Sequence, residues 1–161
     1  MGQDNQPTSA EDILQRHETF LIGAIANRLV SSGSALYRRR FGVGFTEWRI
    51  MVMLALEAGI TAKRIGEVVG LDKAAISRGL QALQTRRLIE PTPETAGRRS
   101  RVFRLSATGW ELHGRIGAIA REHERLLLAD IAPEERPVLQ DMLRRLLART
   151  AEIEAFRPQS D

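Results

Sequence analysis

The sequence predicts a mainly α protein with one small β-wing, ordered helix, helix, helix, helix, strand, strand, helix, helix. Three observations support this. Apolar residues recur at helical spacing over most of the 161 residues. Glycines and capping residues punctuate the centre of the chain at short intervals. Between Leu88 and Leu105 the pattern changes to two short strand-like runs, separated by Pro93, Gly97 and a cluster of arginines.

The first ten residues are rich in Gln, Asn, Pro and Ser and are expected to be frayed. Ser9, followed by Asp12, reads as the start of a helix running from Glu11 to about Arg39, with Ile13, Phe20 and Ala24 on its stripe and Leu14, Leu21 and Ile25 beside them. Phe41-Gly-Val-Gly ends it. Thr46 reads as the cap of a second helix from Glu47 to about Ala58, with Trp48, Met51, Val52 and Ala55 inward. Thr61 caps a short third helix that Gly70 closes. Asp72 caps a fourth helix to about Arg86, with Ile76, Leu80 and Leu83 as its buried stripe. Strands are expected at Leu88–Thr92 and Val102–Leu105, with Phe103 and Leu105 on one face and Val102 and Arg104 on the other. Ser106 caps a fifth helix to about Asp130, bearing Leu112, Ile116, Ile119 and Leu126. Pro133 is placed in the first turn of a sixth helix, to about Ala155, bearing Leu139, Leu143 and Leu146.

Composition narrows the function classes. Apolar residues make up 43% of the chain and aromatics 5%, which suits a helix-rich protein with a real core. The longest apolar run, Ile50–Leu56, is far below the roughly 20 residues of a membrane span. The chain holds no cysteine, so disulfides and thiolate metal sites are excluded. Met1–Ala10 lacks the apolar core of a signal peptide, and a cytoplasmic location is expected. Catalysis finds no support: Gly42-Val-Gly44 lacks the third glycine of a phosphate loop, and no nucleophile or paired-carboxylate arrangement stands out.

Charge is unevenly placed. The net charge is +4, but residues 61–105 carry ten basic and four acidic residues, so this segment is +6 and the remainder −2. A concentrated positive field on a near-neutral body is the footprint of a polyanion binder. The third and fourth helices with the arginine-tipped hairpin form a winged helix-turn-helix, expected over residues 46–105. Residues 11–45 and 106–157 are assigned to a helical dimerisation region, the alternative being a larger monomeric helical core. A twofold dimer would set two recognition helices in successive major grooves about 34–36 Å apart.

Individual residues can be given roles. Lys73, Ser77, Arg78 and Gln81 share one side of the fourth helix, and the small Ala74 and Ala75 keep its first turn slim. Arginine can read guanine and glutamine adenine through paired hydrogen bonds; otherwise this is a solvent-facing helix. Arg98, Arg99 and Arg101 at the hairpin tip suit a narrow minor groove, or else form a solvated charge run. Lys63 and Arg64 suit phosphate contacts.

From Leu71 to Arg78, at Leu80 and Leu83, and again at Arg99, Leu105, Ser106 and Gly109, the sequence resembles the MarR family of bacterial transcription regulators. The order of elements extends the resemblance over about residues 11–155. It implies a homodimer on double-stranded palindromic DNA, acting as a repressor released by a small-molecule effector such as an aromatic acid, a phenolic or its thioester. The family's usual effector crevice maps onto His17, Phe20, Trp48 and Met51, although each also reads as an ordinary core or interface residue. Three positions depart from the family pattern. Gly97 stands where an aspartate often braces the wing, Arg87 where the fourth helix often ends in glycine, and Gly66 where alanine is common. Arg87 must then adopt a left-handed conformation, or the turn must differ. No cofactor or metal is expected: His113 and His123 lie ten residues apart, about 15 Å along one helix. The competing reading is a winged-helix protein-interaction module without specific DNA binding.

Overall fold

The computed structural model describes residues 17–57, 59–92 and 102–156. The element order is α1 (Glu18–Phe41), α2 (Phe45–Leu56), α3 (Ala62–Val69), α4 (Lys73–Thr85), β1 (Ile89–Pro91), β2 (Phe103–Leu105), α5 (Ala107–Leu127) and α6 (Arg136–Ala155). The order is that expected from the sequence. The expected frayed N-terminus, the Ser9 helix start and the positions of Ile13 and Leu14 lie outside the described residues.

By compactness the chain divides into two units within α5, between Gly117 and Ala118. The first is built around α2, whose sequence FTEWRIMVMLAL is apolar on nearly every side. Such a helix is stable only when surrounded, and α2 packs against α1, α3, α4 and β2. Ile50, Met51, Ile65, Ile76, Leu83 and Ile116 are essentially inaccessible to solvent. Each contributes roughly 1.5–3 kcal/mol of burial. Tyr37 stacks on Phe45 at 6.3 Å and meets Trp48 edge-on at 6.1 Å, fixing the end of α1 against α2. Burial pushes the Tyr37 hydroxyl pKa up from its ordinary value.

The hairpin is shorter than expected. Ile89 pairs with Leu105, Glu90 with Arg104 and Pro91 with Phe103. Beyond them Val102 bridges to Thr61, just before α3, while the Thr92 amide donates to the Val102 carbonyl at 3.0 Å. The facial pattern is as read: Phe103 and Leu105 are buried and Arg104 is exposed. Arg104 bonds Glu90 across the strands at 2.8 Å.

Two helix starts differ from expectation. The cap of α2 is Gly44 rather than Thr46, because the Gly44 carbonyl already accepts from Trp48 at 3.0 Å and draws Phe45 and Thr46 into the helix. Pro133 lies in a turn before α6, and Pro137 occupies the first helical turn. Glu135 shapes that turn by accepting from the Ala132 amide at 2.8 Å.

The apolar stripes of the outer helices also differ. On α5 Leu112 and Ile116 are buried, but Leu126 is 58% exposed. On α6 no residue is buried, and Val138, Met142, Leu143, Leu146 and Leu147 are all exposed. Phe20, Leu21 and Ile25 at the start of α1 are exposed as well. The spacing is that of buried stripes, yet within the chain Ala24, Ile119 and Leu139 are only half-buried and the larger side chains named above stay exposed.

Candidate nucleic-acid interface

The interface is built on α3 and α4. The Thr61 hydroxyl accepts from the Arg64 amide at 3.2 Å, and a carboxylate oxygen of Asp72 from the Ala75 amide at 2.7 Å, so both helices are capped as their sequences predict. Gly70 closes α3 with a left-handed φ of 65°, which only glycine adopts at no steric cost. Arg49, the one basic residue of α2, donates to the Val69 carbonyl and holds the end of α3 in place. Burial lowers its pKa from the ordinary guanidinium value.

Helix α4 buries Ile76, Gly79, Leu80 and Leu83. A Cβ on Gly79 would fall 2.5 Å from the Ile50 Cδ1 atom, so the missing side chain is what lets α4 lie close on α2. Lys73, Ser77, Arg78 and Gln81 are all exposed. The structure brings the four predicted residues of this helix onto one open face. Among the described residues their side chains make no hydrogen bond or ion pair. Lys63 and Arg64 are exposed at the start of α3 and share Glu67 at 3.7 and 3.6 Å. Exposed pairs of this kind are worth at most about 1 kcal/mol, so both cations remain available to a phosphate. Arg98, Arg99, Arg101 and Gly97 lie outside the described residues; only the base of the wing is seen.

The far end of α4 is tied down more tightly than the sequence suggests. Arg87 takes the left-handed conformation with φ 56°, one of the two outcomes its departure from glycine allowed. The Arg87 amide bonds the Gln84 carbonyl at 2.9 Å and the Leu88 amide bonds the Leu83 carbonyl at 3.0 Å, a paired C-terminal cap. The Arg87 carbonyl then accepts from the hydroxyls of Ser106 at 2.8 Å and Thr108 at 3.1 Å. The Ser106 amide donates to the Leu88 carbonyl at 3.0 Å. A Cβ on Gly109 would lie 2.0 Å from that same carbonyl oxygen, so no other residue fits. Ser106 and Gly109 carried the resemblance in the sequence, but their job of knotting α4 to α5 was not visible there. Arg86, also missed, donates to the carbonyls of Phe41, at 2.8 Å, and Gly42.

The residues assigned to the effector crevice do not form one group within the chain. Trp48 is buried between Tyr37 and His113, whose ring lies 5.1 Å away, and Met51 is fully inside the core. His17 precedes α1 and Phe20 sits in its first turn, both exposed. Phe20 and Tyr37 are seventeen residues apart on one helix, about 25 Å. Within one chain His17 and Phe20 therefore lie far from Trp48, and the four residues do not share one lining there. Half-buried His113 is the neighbour Trp48 has instead, a contact that its spacing from His123 does not reveal. Among the described residues no cluster could hold a metal ion, and no helix is long and apolar enough to cross a membrane.

A capped helix-turn-helix with a hairpin packed behind it, and an open basic and polar face on its second helix, defines a winged-helix DNA-binding regulator. The MarR family model matches residues 41–100. A MarR/EmrR family transcriptional regulator from Acinetobacter sp. ADP1 is 32% identical, with 86% of this chain and 98% of that one covered and a TM-score of 0.79. The PcaV transcriptional regulator from Streptomyces coelicolor, solved with its natural ligand, is 26% identical over 85% of this chain and 96% of its own, with a TM-score of 0.65. A Listeria monocytogenes protein described as a MarR family regulator, solved with a 26mer DNA, shares the fold: TM-score 0.80, 17% identity, 91% and 99% covered. The chain belongs to the MarR family, and it is a DNA-binding transcription regulator rather than an enzyme.

Proposed function

We propose that two copies of this chain form a homodimer that binds palindromic double-stranded DNA as a repressor, released by a small anionic or aromatic effector. The observation that carries the reading is the α4 face, where Lys73, Ser77, Arg78 and Gln81 stand open on a helix capped at both ends. Arg78 would pair with guanine and Gln81 with adenine. Lys73 and Ser77 would meet the backbone or a base edge, and Lys63 and Arg64 phosphates. Arg98, Arg99 and Arg101 are assigned to the adjacent minor groove. The uncovered stripes of α1, α5 and α6 favour the dimer, since large exposed apolar patches mark interaction surfaces.

The effector reading rests on the ligand-bound Streptomyces relative. We assign it to the neighbourhood of Trp48, Tyr37 and His113, where three rings meet. His17 and Phe20 could contribute only across the dimer. An aromatic acid, a phenolic or its thioester is the class of effector that such rings would stack against. A cytoplasmic location follows from the same reading.

The test is footprinting on the promoter of the chain's own gene, with wild-type protein and Arg78→Ala. One protected palindrome is expected, with affinity falling roughly 5- to 100-fold in the variant, the worth of one paired base contact. Retention of the same footprint by Arg78→Ala would refute the assignment. If the wild type preferred no fragment over random DNA at moderate salt, the winged helix would instead be a protein-interaction scaffold.

A further inference from the structure

At the opposite end of α4 from Lys73 lies a cleft of about 330 Å3. Lys73 and Arg86 are thirteen residues apart, about 20 Å along the helix, so the cleft is set away from the base-contacting first turn. It forms where the end of α1, the end of α4 and the first turns of α5 meet. Three arginines from three different elements line it, Arg40, Arg86 and Arg115, together with one acidic residue, Glu111. Phe41 and Leu112, each 8% exposed, are its apolar walls.

The charges are not neutralised from within. The guanidinium carbons of Arg40 and Arg115 lie 5.8 and 5.3 Å from the Phe41 ring centroid. Among the described residues neither has a carboxylate within ion-pairing distance. Arg86 spends two N–H groups on the carbonyls of Phe41 and Gly42. Three like charges around one cleft repel each other, and a bound anion would relieve that. Guanidinium forks match the oxygens of a phosphoryl group. An apolar wall with a few convergent polar groups is the usual composition of a small-molecule site, and the volume is at the small end of that range.

We propose that this cleft binds a small organic phosphate monoester, its phosphoryl oxygens held by Arg40 and Arg115 and its apolar part lying on Phe41 and Leu112. The site shares no residue with the Trp48, Tyr37 and His113 cluster and stands without the DNA-binding reading. One consequence does rest on that reading: a phosphate that drew Arg86 from the Phe41 and Gly42 carbonyls would slacken the tie between α1 and the recognition helix.

The experiment is titration calorimetry of the full chain, without DNA, at constant ionic strength, using phenyl phosphate and inorganic phosphate as probes. One saturable site per chain is expected, tighter for phenyl phosphate. Arg115→Ala and Arg40→Ala should each weaken it about ten-fold, the worth of one charge-assisted contact. Glu111→Gln removes the opposing charge and should tighten binding, a gain that a folding defect cannot produce. Melting curves of the unliganded variants check that they are folded. The proposal falls if binding is not saturable, or if it is indifferent to Arg40, Arg115 and Glu111. It also falls if Arg115→Ala lowers DNA affinity while leaving phenyl phosphate binding intact, which would make these arginines DNA-backbone contacts. If the site titrates as expected and no DNA binds, only the coupling is lost.

Discussion

Arg87 and Gly109 show how single backbone positions set this fold. Arg87 holds a left-handed conformation that costs a non-glycine residue about 1 kcal/mol. Arg87→Gly is expected to raise stability by about 0.5–1 kcal/mol in chemical denaturation, less whatever the added freedom of the unfolded chain takes back. Gly109→Ala is the opposite case. The new methyl would collide with the Leu88 carbonyl, which also accepts the Ser106 amide. A loss of at least about 1–3 kcal/mol is expected in the same measurement, and a variant as stable as the wild type would contradict the packing described. The sequence made Arg87's two options legible, because an arginine in place of a helix-ending glycine is a local fact. It could not reveal why Gly109 is glycine, since the atom that excludes a side chain is twenty-one residues away in the chain. For the same reason Arg86 read only as one more basic residue.

At the scale of elements, capping decides what was legible. Thr61, Asp72 and Ser106 each stand before a helical pattern and each cap as read, because an N-cap bond spans three residues and is written locally. Asp72→Ala should cost about 1 kcal/mol of stability, and it should weaken DNA binding further by fraying the turn that carries Lys73. Comparing the melting temperature with the DNA affinity at a temperature where the variant is folded would separate the two effects. Where reading failed, a competing local signal had won. Thr46 was the better cap by residue type, but Gly44 already carried the first carbonyl bond. Pro133 was the first proline after α5, but Pro137 stands in the first turn of α6. On α5 the near half of the stripe, Leu112 and Ile116, is buried as its period predicts, whereas Leu126 and the stripe of α6 are not buried within the chain, because periodicity reports that a stripe needs a partner without saying whose.

At the scale of the whole molecule, the homodimer proposed above would supply that partner. A twenty-residue helix with no buried residue has little to hold it in one chain. Leu143→Asp combined with Leu147→Asp is therefore expected to leave monomers in sedimentation velocity, with the first unit still folded by circular dichroism. Such monomers should lose most of their affinity for a two-half-site operator, because the halves would no longer bind as one. Unchanged sedimentation would contradict the dimer surface assigned to α6. DNA affinity should also fall steeply with salt, the logarithmic slope being about 0.9 per phosphate neutralised. The paired cap, the Ser106 and Thr108 hydroxyls and the Leu88 carbonyl together tie the end of α4 directly to the start of α5. The amide protons of Leu88, Ser106 and Gly109 should then exchange with solvent together, in one opening event. A regulator assembled this way has a clutch: any force that turns α5 about its axis must either turn the reading helix by the same angle or first break those shared bonds.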